Sequence, residues 1–333
     1  MNYKKILRFV CGLSLLFFMF AQLDTSLLQR IILDINGFTF LIAVLFCAIA
    51  NLLCALRWES LSKAVGLNVS NKIFISVYFE SIAANCILPG GILGGDIWRT
   101  TRIAKETKDE SFLVKHDSKF SKNQLFKLSG LSVLVDRIHG FWSLCLMGIT
   151  CFLLFFIFMP ETFNKWSEEL SVYLTPIFLY LIILFCILIL PILIKFYIIF
   201  MQTASLKIKF FLKFANDMTR NLWRVSYSNK TIIISLISQI LFGVSFWICL
   251  HSIGINLNIL LTLVLVPGIF LFASIPIGVA GFGPREAGSL FLLMPLSLNN
   301  EHIFISSVLF GLTSTVLGAI TLLVSLMKSS KKN

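Results

Sequence analysis

The stretch Ser274–Gly288, "SIPIGVAGFGPREAG", decides how this chain is read. It lies between two uncharged apolar runs, Leu260–Phe272 and Leu290–Leu296, yet carries Arg285 and Glu286 side by side. Holding an Arg near the middle of a bilayer costs about 2.5–3.5 kcal/mol on insertion scales. Pro has no N–H and Gly tolerates any φ, so the stretch resists continuous helix. Irregular backbone survives at membrane depth only when it is buried in protein or lines a wet cavity. The sequence therefore predicts a break inside the membrane, with Arg285 there to meet a negatively charged group.

Composition agrees with a polytopic membrane protein. The 333 residues are 57% hydrophobic and 13% charged, with 33 Phe and a mean hydropathy of +0.90; soluble domains carry about 25% charged residues. The net charge of +12 reads as membrane topology, because basic residues gather in cytoplasmic loops, and nucleic acid is not expected as a partner. Eight scattered Cys form no C-x-x-C pair and read as small core residues, and four scattered His form no ligand cluster. No metal or other cofactor is expected. The N-terminal stretch lacks a small-x-small cleavage site and reads as an uncleaved first span.

With about 20 apolar residues per span, full spans are predicted at 6–22, 38–56, 131–158, 172–194, 231–252 and 303–327. Two further apolar segments are broken: 73–95 at "LPGGILGG" and 259–296 at "PIGVAGFGP". The positive-inside rule places both termini in the cytoplasm. If 73–95 crossed fully, the eight Lys and Arg of 96–130 would lie outside; if it turns back, they stay inside. With both broken segments re-entrant, twenty-four of the 28 Lys and Arg, Arg57 among them, lie inside and two outside. Arg137 and Arg285 are left at or within the membrane. The expectation is one all-α integral membrane domain over 1–333, with six full spans and two re-entrant helical elements entering from opposite faces. Pro89-x-Gly91-x-x-Gly94 and Pro276-x-Gly278-x-x-Gly281 share one pattern, as in inverted-repeat transporters whose broken helices meet near the midplane.

Gly281 and Gly283 belong to the second break. Gly283-Pro284-Arg285-Glu286 reads as a helix start, with Pro at the first position and an acidic first turn. Glu286 is then an N-terminal charge or Arg285's partner, and Arg285 a phosphate ligand, since Arg grips two phosphate oxygens at once. Asp96 reads as the N-cap of a cytoplasmic-side helix, "IWRTTRIAKE", with Arg99, Arg102 and Glu106 on one face. That face suits either anionic lipid at the surface or head-group entry. Asp136-Arg137 in "LVDRIHGFW" reads as an ion pair at a span's end. Glu80 and Asn85 are polar groups inside the first broken element, available to pair with a basic residue or carry a proton. No G-x-S-x-G, G-x-x-x-x-G-K-[ST], G-x-G-x-x-G or H-E-x-x-H motif occurs. Transport would therefore run downhill, be ion-coupled or depend on a partner.

"LPGGILGGDIWRTTRIAK", "LVDRIHG" and "IPIGVAGFGPREAGSL" resemble the lysylphosphatidylglycerol synthase transmembrane, flippase-like family. The last is similar to its P-x-x-x-x-G-x-G-x-R-E signature. The resemblance covers nearly the whole chain and implies an inner-membrane protein moving a charged lipid between leaflets. It carries Asp96, Arg99, Asp136, Arg137, Arg285 and Glu286 over as important positions. Larger members add a C-terminal soluble aminoacyltransferase domain; a chain ending at Asn333 leaves no room for it, so a non-enzymatic role is expected. The expected partner is an anionic lipid head group, a phospholipid or a lipid-linked glycan, together with envelope-synthesis enzymes. The alternatives are a membrane enzyme using Glu80, Asp96 or Glu286 as base, and a scaffold for polysaccharide assembly.

Overall fold

A computed structural model describes residues 23–87, 92–109, 122–161, 228–275 and 282–330, with a few single positions at 14–21 and 224–225. It is all-helical, as expected. The described helices are α1 (Thr25–Leu33), α2 (Gly37–Ala64), α3 (Asn71–Ile87), α4 (Ile92–Asp109), α5 (Lys122–Phe158), α6 (Asn229–His251), α7 (Ile259–Ala273), α8 (Pro284–Leu293) and α9 (Asn300–Ser330). Short polar side chains start several of them: Asn36 accepts the Phe38 and Thr39 N–H groups, Ser228 accepts that of Thr231, and Asn258 those of Leu260 and Leu261. Among the described residues four helices are apolar and long enough to cross a membrane: Gly37–Ala64, Asn123–Phe158, Asn229–His251 and Asn300–Met327. Predicted span 172–194 lies outside the described residues, as do most of 6–22 and Pro89, Gly91, Pro276, Gly278 and Gly281.

Three polar contacts fix the direction of the spans. The Asn36 N–H donates to the Ser252 carbonyl (3.0 Å), joining the start of α2 to the end of α6. The Asp24 N–H donates to Glu301 Oε1 (3.1 Å), bringing the start of α9 to that face. Asn258 Nδ2 reaches Met159 Sδ (3.1 Å), bringing the end of α5 there as well. The α3–α4 pair follows the far end of α2, whereas the α7–α8 pair follows the end of α6. The two helical hairpins therefore enter from opposite faces. α7 has 15 residues and α8 has 10, about 22 and 15 Å of helix, short of the roughly 30 Å hydrocarbon core.

Each hairpin has its own apolar cluster. Trp58, Phe74, Ile103 and Leu128 surround α3–α4, with the Trp58 and Phe74 rings edge-to-face at 5.1 Å. Phe246, Phe270 and Phe310 lie among α6, α7 and α9, at 5.1–6.5 Å between centroids. α9 receives both hairpins through two glycines seven residues apart, hence on one face. A Cβ at Gly318 would lie 3.2 Å from the Ala83 Cα of α3, and one at Gly311 would overlap the Arg285 guanidinium of α8.

Two helices overrun their predicted spans. α2 continues past residue 56 to Ala64, and α5 begins at Lys122 instead of 131. Polar residues that looked like span ends are inside the protein, held by ion pairs, so the drop in hydropathy ends neither helix. Within the first hairpin, α3 and α4 approach so closely that a Cβ on Gly95 would lie 2.5 Å from the Ser81 carbonyl oxygen, whereas one on Gly37 meets nothing within 4 Å. Gly95→Ala is expected to destabilise the detergent-solubilised protein by about 1–3 kcal/mol and Gly37→Ala far less. A thermal-unfolding comparison checks this; equal midpoints would contradict the packing.

Candidate functional site

Between the two hairpins lies a cavity of about 310 Å³. Asn85 and Arg99 line it from the first hairpin, and Phe270 and Arg285 from the second. α2, α5, α6 and α9 complete the wall. Four arginines border it, Arg57, Arg99, Arg137 and Arg285, and among the described lining residues Asp136 is the single carboxylate.

Asp136 joins three helices. Its Oδ1 accepts from Arg57 Nε of α2 (2.9 Å) and its Oδ2 from Arg99 Nη2 of α4 (2.7 Å). Arg57, Arg99 and Asp136 are each no more than 4% exposed. The Arg99 guanidinium also lies over the Trp58 ring at 4.0 Å and the Tyr78 ring at 4.9 Å, a favourable placement for a cation. Gly140, one turn beyond Asp136 on α5, makes room for Arg57, whose Nη2 would be 3.3 Å from a Cβ there. A second pair runs the other way between α4 and α5: Arg137 Nη2 donates to Asp96 Oδ1 at 2.8 Å. Asp96–Arg137 and Arg99–Asp136 thus cross between the same two helices.

On the second hairpin, Gly283 adopts φ of +111°, which favours glycine, and starts α8. Glu286 accepts the Gly283 N–H on one oxygen; on the other it accepts Arg285 Nη2 (2.6 Å) and the Ser307 hydroxyl (3.1 Å). The capping role and the Arg285 pairing expected of Glu286 are both realised. The guanidinium rests 5.0 Å from the Phe282 ring and 5.8 Å from that of Phe310.

Several expectations are corrected. Asp96 is not an N-cap: α4 starts at Ile92, and the Asp96 carboxylate is spent on Arg137. Asp136 and Arg137 do not pair with each other or sit at a helix end, since α5 begins fourteen residues earlier and adjacent side chains diverge on a helix. Arg99 and Arg102 do not act as one face. Arg99 is buried in the cavity wall, whereas Arg102 lies outside it, 3.1 Å from Glu106 and 3.8 Å from Glu80. Glu80 accepts from Ser76 and from the Trp98 indole (both 3.0 Å) and has Arg102 as its basic neighbour, as the sequence allowed. Asn85 Oδ1 accepts the Gly95 N–H (2.6 Å) in the first turn of α4, where backbone donors lack helical partners. Gly281 lies outside the described residues. Arg57, counted with the cytoplasmic loops, is a wall residue. With no Gly or Pro between Leu56 and Ala64, continued helix was the available signal.

The balance of charge is the site's main chemical property. Among the described residues Asp96, Asp136 and Glu286 compensate three of the four cavity arginines, so one positive charge is left over. Arg57 Nη1 and Arg99 Nε have no hydrogen-bond partner among the described residues. Buried charge without a partner is costly, and an anion supplies both the missing charge and the missing acceptor. No cluster of three or more metal-ligating side chains occurs among the described residues.

The family model described as the lysylphosphatidylglycerol synthase TM region matches residues 5–321. This chain belongs to that family. No curated protein matches it. Family membership and the apolar spans make it a multi-pass membrane protein of the lysylphosphatidylglycerol synthase TM region family, and the match runs through the residues of both hairpins.

Removing Asp136 would strand two buried guanidiniums. Asp136→Asn is expected to cost about 3–5 kcal/mol, read as a large fall in thermal midpoint. Exchanging the other pair, as Asp96→Arg with Arg137→Asp, should recover more stability than the two single changes predict, by about 0.5–3 kcal/mol. Strict additivity in that cycle would contradict the crossed pairing.

Proposed function

We propose that the protein binds the anionic head group of a membrane lipid in the cavity between its hairpins and moves that lipid between leaflets without changing it chemically. The surplus guanidinium charge, facing two hairpins that enter from opposite sides, carries the reading. A transport site needs a route to each leaflet, and two opposed, broken elements around one polar cavity are the arrangement by which inverted-repeat transporters provide it. Arginine suits a phosphate because its fork donates two hydrogen bonds in the geometry the oxygens present. The family's name supports a lipid setting for this chemistry.

In this reading Arg57, Arg99 and Arg285 hold the phosphate, while Glu286 and Asp136 position Arg285 and the other two. Arg137 and Asp96 latch α4 to α5. Arg102, paired outside the cavity, acts at most where lipid first meets the protein. The face bearing the α2–α3 turn and the end of α9 carries Lys63, Lys72 and Lys328, whereas the opposite face carries Arg30 with Asp24, Asp34 and Glu301. The positive-inside rule then puts the basic face, with both termini, in the cytoplasm of a cell whose inner membrane holds the protein.

Arg57→Gln is the cleanest test, because Arg99 still compensates Asp136. In proteoliposomes with fluorescent phosphatidylglycerol in both leaflets, the unaltered protein should expose the inner-leaflet pool to dithionite. Arg57→Gln should slow that exposure by about tenfold or more, a loss of about 1.4 kcal/mol in binding, while still folding, with a smaller fall in thermal midpoint than Asp136→Asn. Arg285→Ala combined with Glu286→Gln, which removes the second pair as a unit, should abolish it. Unaltered rates in both well-folded variants would overturn the proposal.

A further inference from the structure

We infer that the head group this cavity accepts is anionic and hydroxyl-rich, and that a lipid bearing an ammonium group, lysylphosphatidylglycerol included, is excluded. The inference rests on the lipid-binding reading above and specifies its substrate. A cationic head group is held best by a free carboxylate, and the described cavity wall offers none. Asp136 is the only carboxylate among the described lining residues, and both its oxygens are already taken by Arg57 and Arg99. Asp96 and Glu286 stand behind the wall, each spent on an arginine. An ammonium entering here would meet four guanidiniums, and like charges in a poorly solvated space repel strongly. Two of the aromatic faces that could hold it, Tyr78 and Phe310, already lie against Arg99 and Arg285.

The rest of the polar wall is neutral: Asn51, Ser81, Asn85, Gln239, Ser274 and Ser314. Several of these groups are half-used in a way that suits hydroxyls. Ser81 and Ser274 donate their protons to the Tyr78 and Leu271 carbonyls (both 2.6 Å), leaving their oxygens as acceptors. Asn85 spends its carbonyl oxygen on the Gly95 N–H, leaving its amide as a donor. Gln239 donates to the Gly140 carbonyl at 3.3 Å, leaving its own carbonyl as an acceptor. A hydroxyl both donates and accepts, so glycerol, inositol or sugar groups can use acceptors and donors together. The arginines take the phosphate and the neutral wall takes the polyol. Phosphatidylglycerol, phosphatidylinositol and glycosyl phospholipids meet this description.

The test is competitive native mass spectrometry of the purified full chain. Equimolar phosphatidylglycerol, phosphatidylinositol, phosphatidylethanolamine, phosphatidylcholine and lysylphosphatidylglycerol are offered together. Adducts of the two anionic polyol lipids should exceed those of the three ammonium-bearing lipids by about tenfold or more. Arg57→Gln should erase that preference. Asn51→Asp, which adds a carboxylate to the wall, should raise the lysyl-lipid adduct relative to phosphatidylglycerol. Lysylphosphatidylglycerol binding as well as phosphatidylglycerol to the unaltered protein would overturn the inference while leaving lipid binding intact. Retention of none of the five would overturn the lipid-binding reading and this inference together.

Discussion

A single carboxylate shared by two arginines holds the centre of this molecule together. Asp136 on α5 receives Arg57 from α2 and Arg99 from the returning arm of the first hairpin, with all three side chains buried. In a medium without water each of these charges is untenable alone, and breaking such a cluster costs several kcal/mol. α4 is therefore tied to the spans beside it by chemistry as well as by apolar packing, and the position of the cavity follows from that tie. The second hairpin repeats the logic with different parts: Arg285 is held by Glu286 and Ser307 and fits over Gly311 of α9.

The two halves differ in what they leave unsatisfied. Around Arg285 the carboxylate and the hydroxyl absorb the guanidinium's charge and several of its donors. Around Asp136 two guanidiniums share one carboxylate, so Arg57 and Arg99 each retain a donor without a partner among the described residues. The leftover charge thus belongs to the Asp136 side, on the arm of the hairpin that follows α2. An anion bound there would touch residues from three helices at once. Its arrival or departure would change how tightly α4 is held to α5, through the crossed Asp96–Arg137 and Arg99–Asp136 pairs. Coupling between occupancy and the freedom of one hairpin is what a carrier requires, because a ligand shifts a conformational balance only by binding its states unequally.

Much of the fold was legible in composition and punctuation. The predicted breaks fall between α3 and α4 and between α7 and α8, the charge distribution agrees with those segments turning back, and the helix start at Gly283–Glu286 was readable residue by residue. Helix lengths and side-chain partners were not. Arg57 and Asp136 looked like span ends because hydropathy falls there. It falls because those residues face each other across the bundle, a tertiary fact that no local window contains. Asp96 looked like a cap because an acidic residue followed glycines, yet α4 starts four residues earlier and the carboxylate is turned to Arg137. The individual arginines of the site were visible as anomalies, and their grouping around one cavity was not. Neither was the role of Gly140 and Gly311, which matter because a guanidinium from another helix occupies the space a side chain would fill.

The central claim is that opposed hairpins enclose a buried site whose surplus guanidinium charge is completed by a lipid's negative group. It is tested most directly by an experimental structure of the protein in nanodiscs containing phosphatidylglycerol. The account predicts a phosphate in the cavity within hydrogen-bonding distance of Arg57 or Arg99, with the Asp136 pairs retained. Lipid density confined to the outer surface, with Arg57 and Arg99 satisfied by protein groups alone, would contradict it.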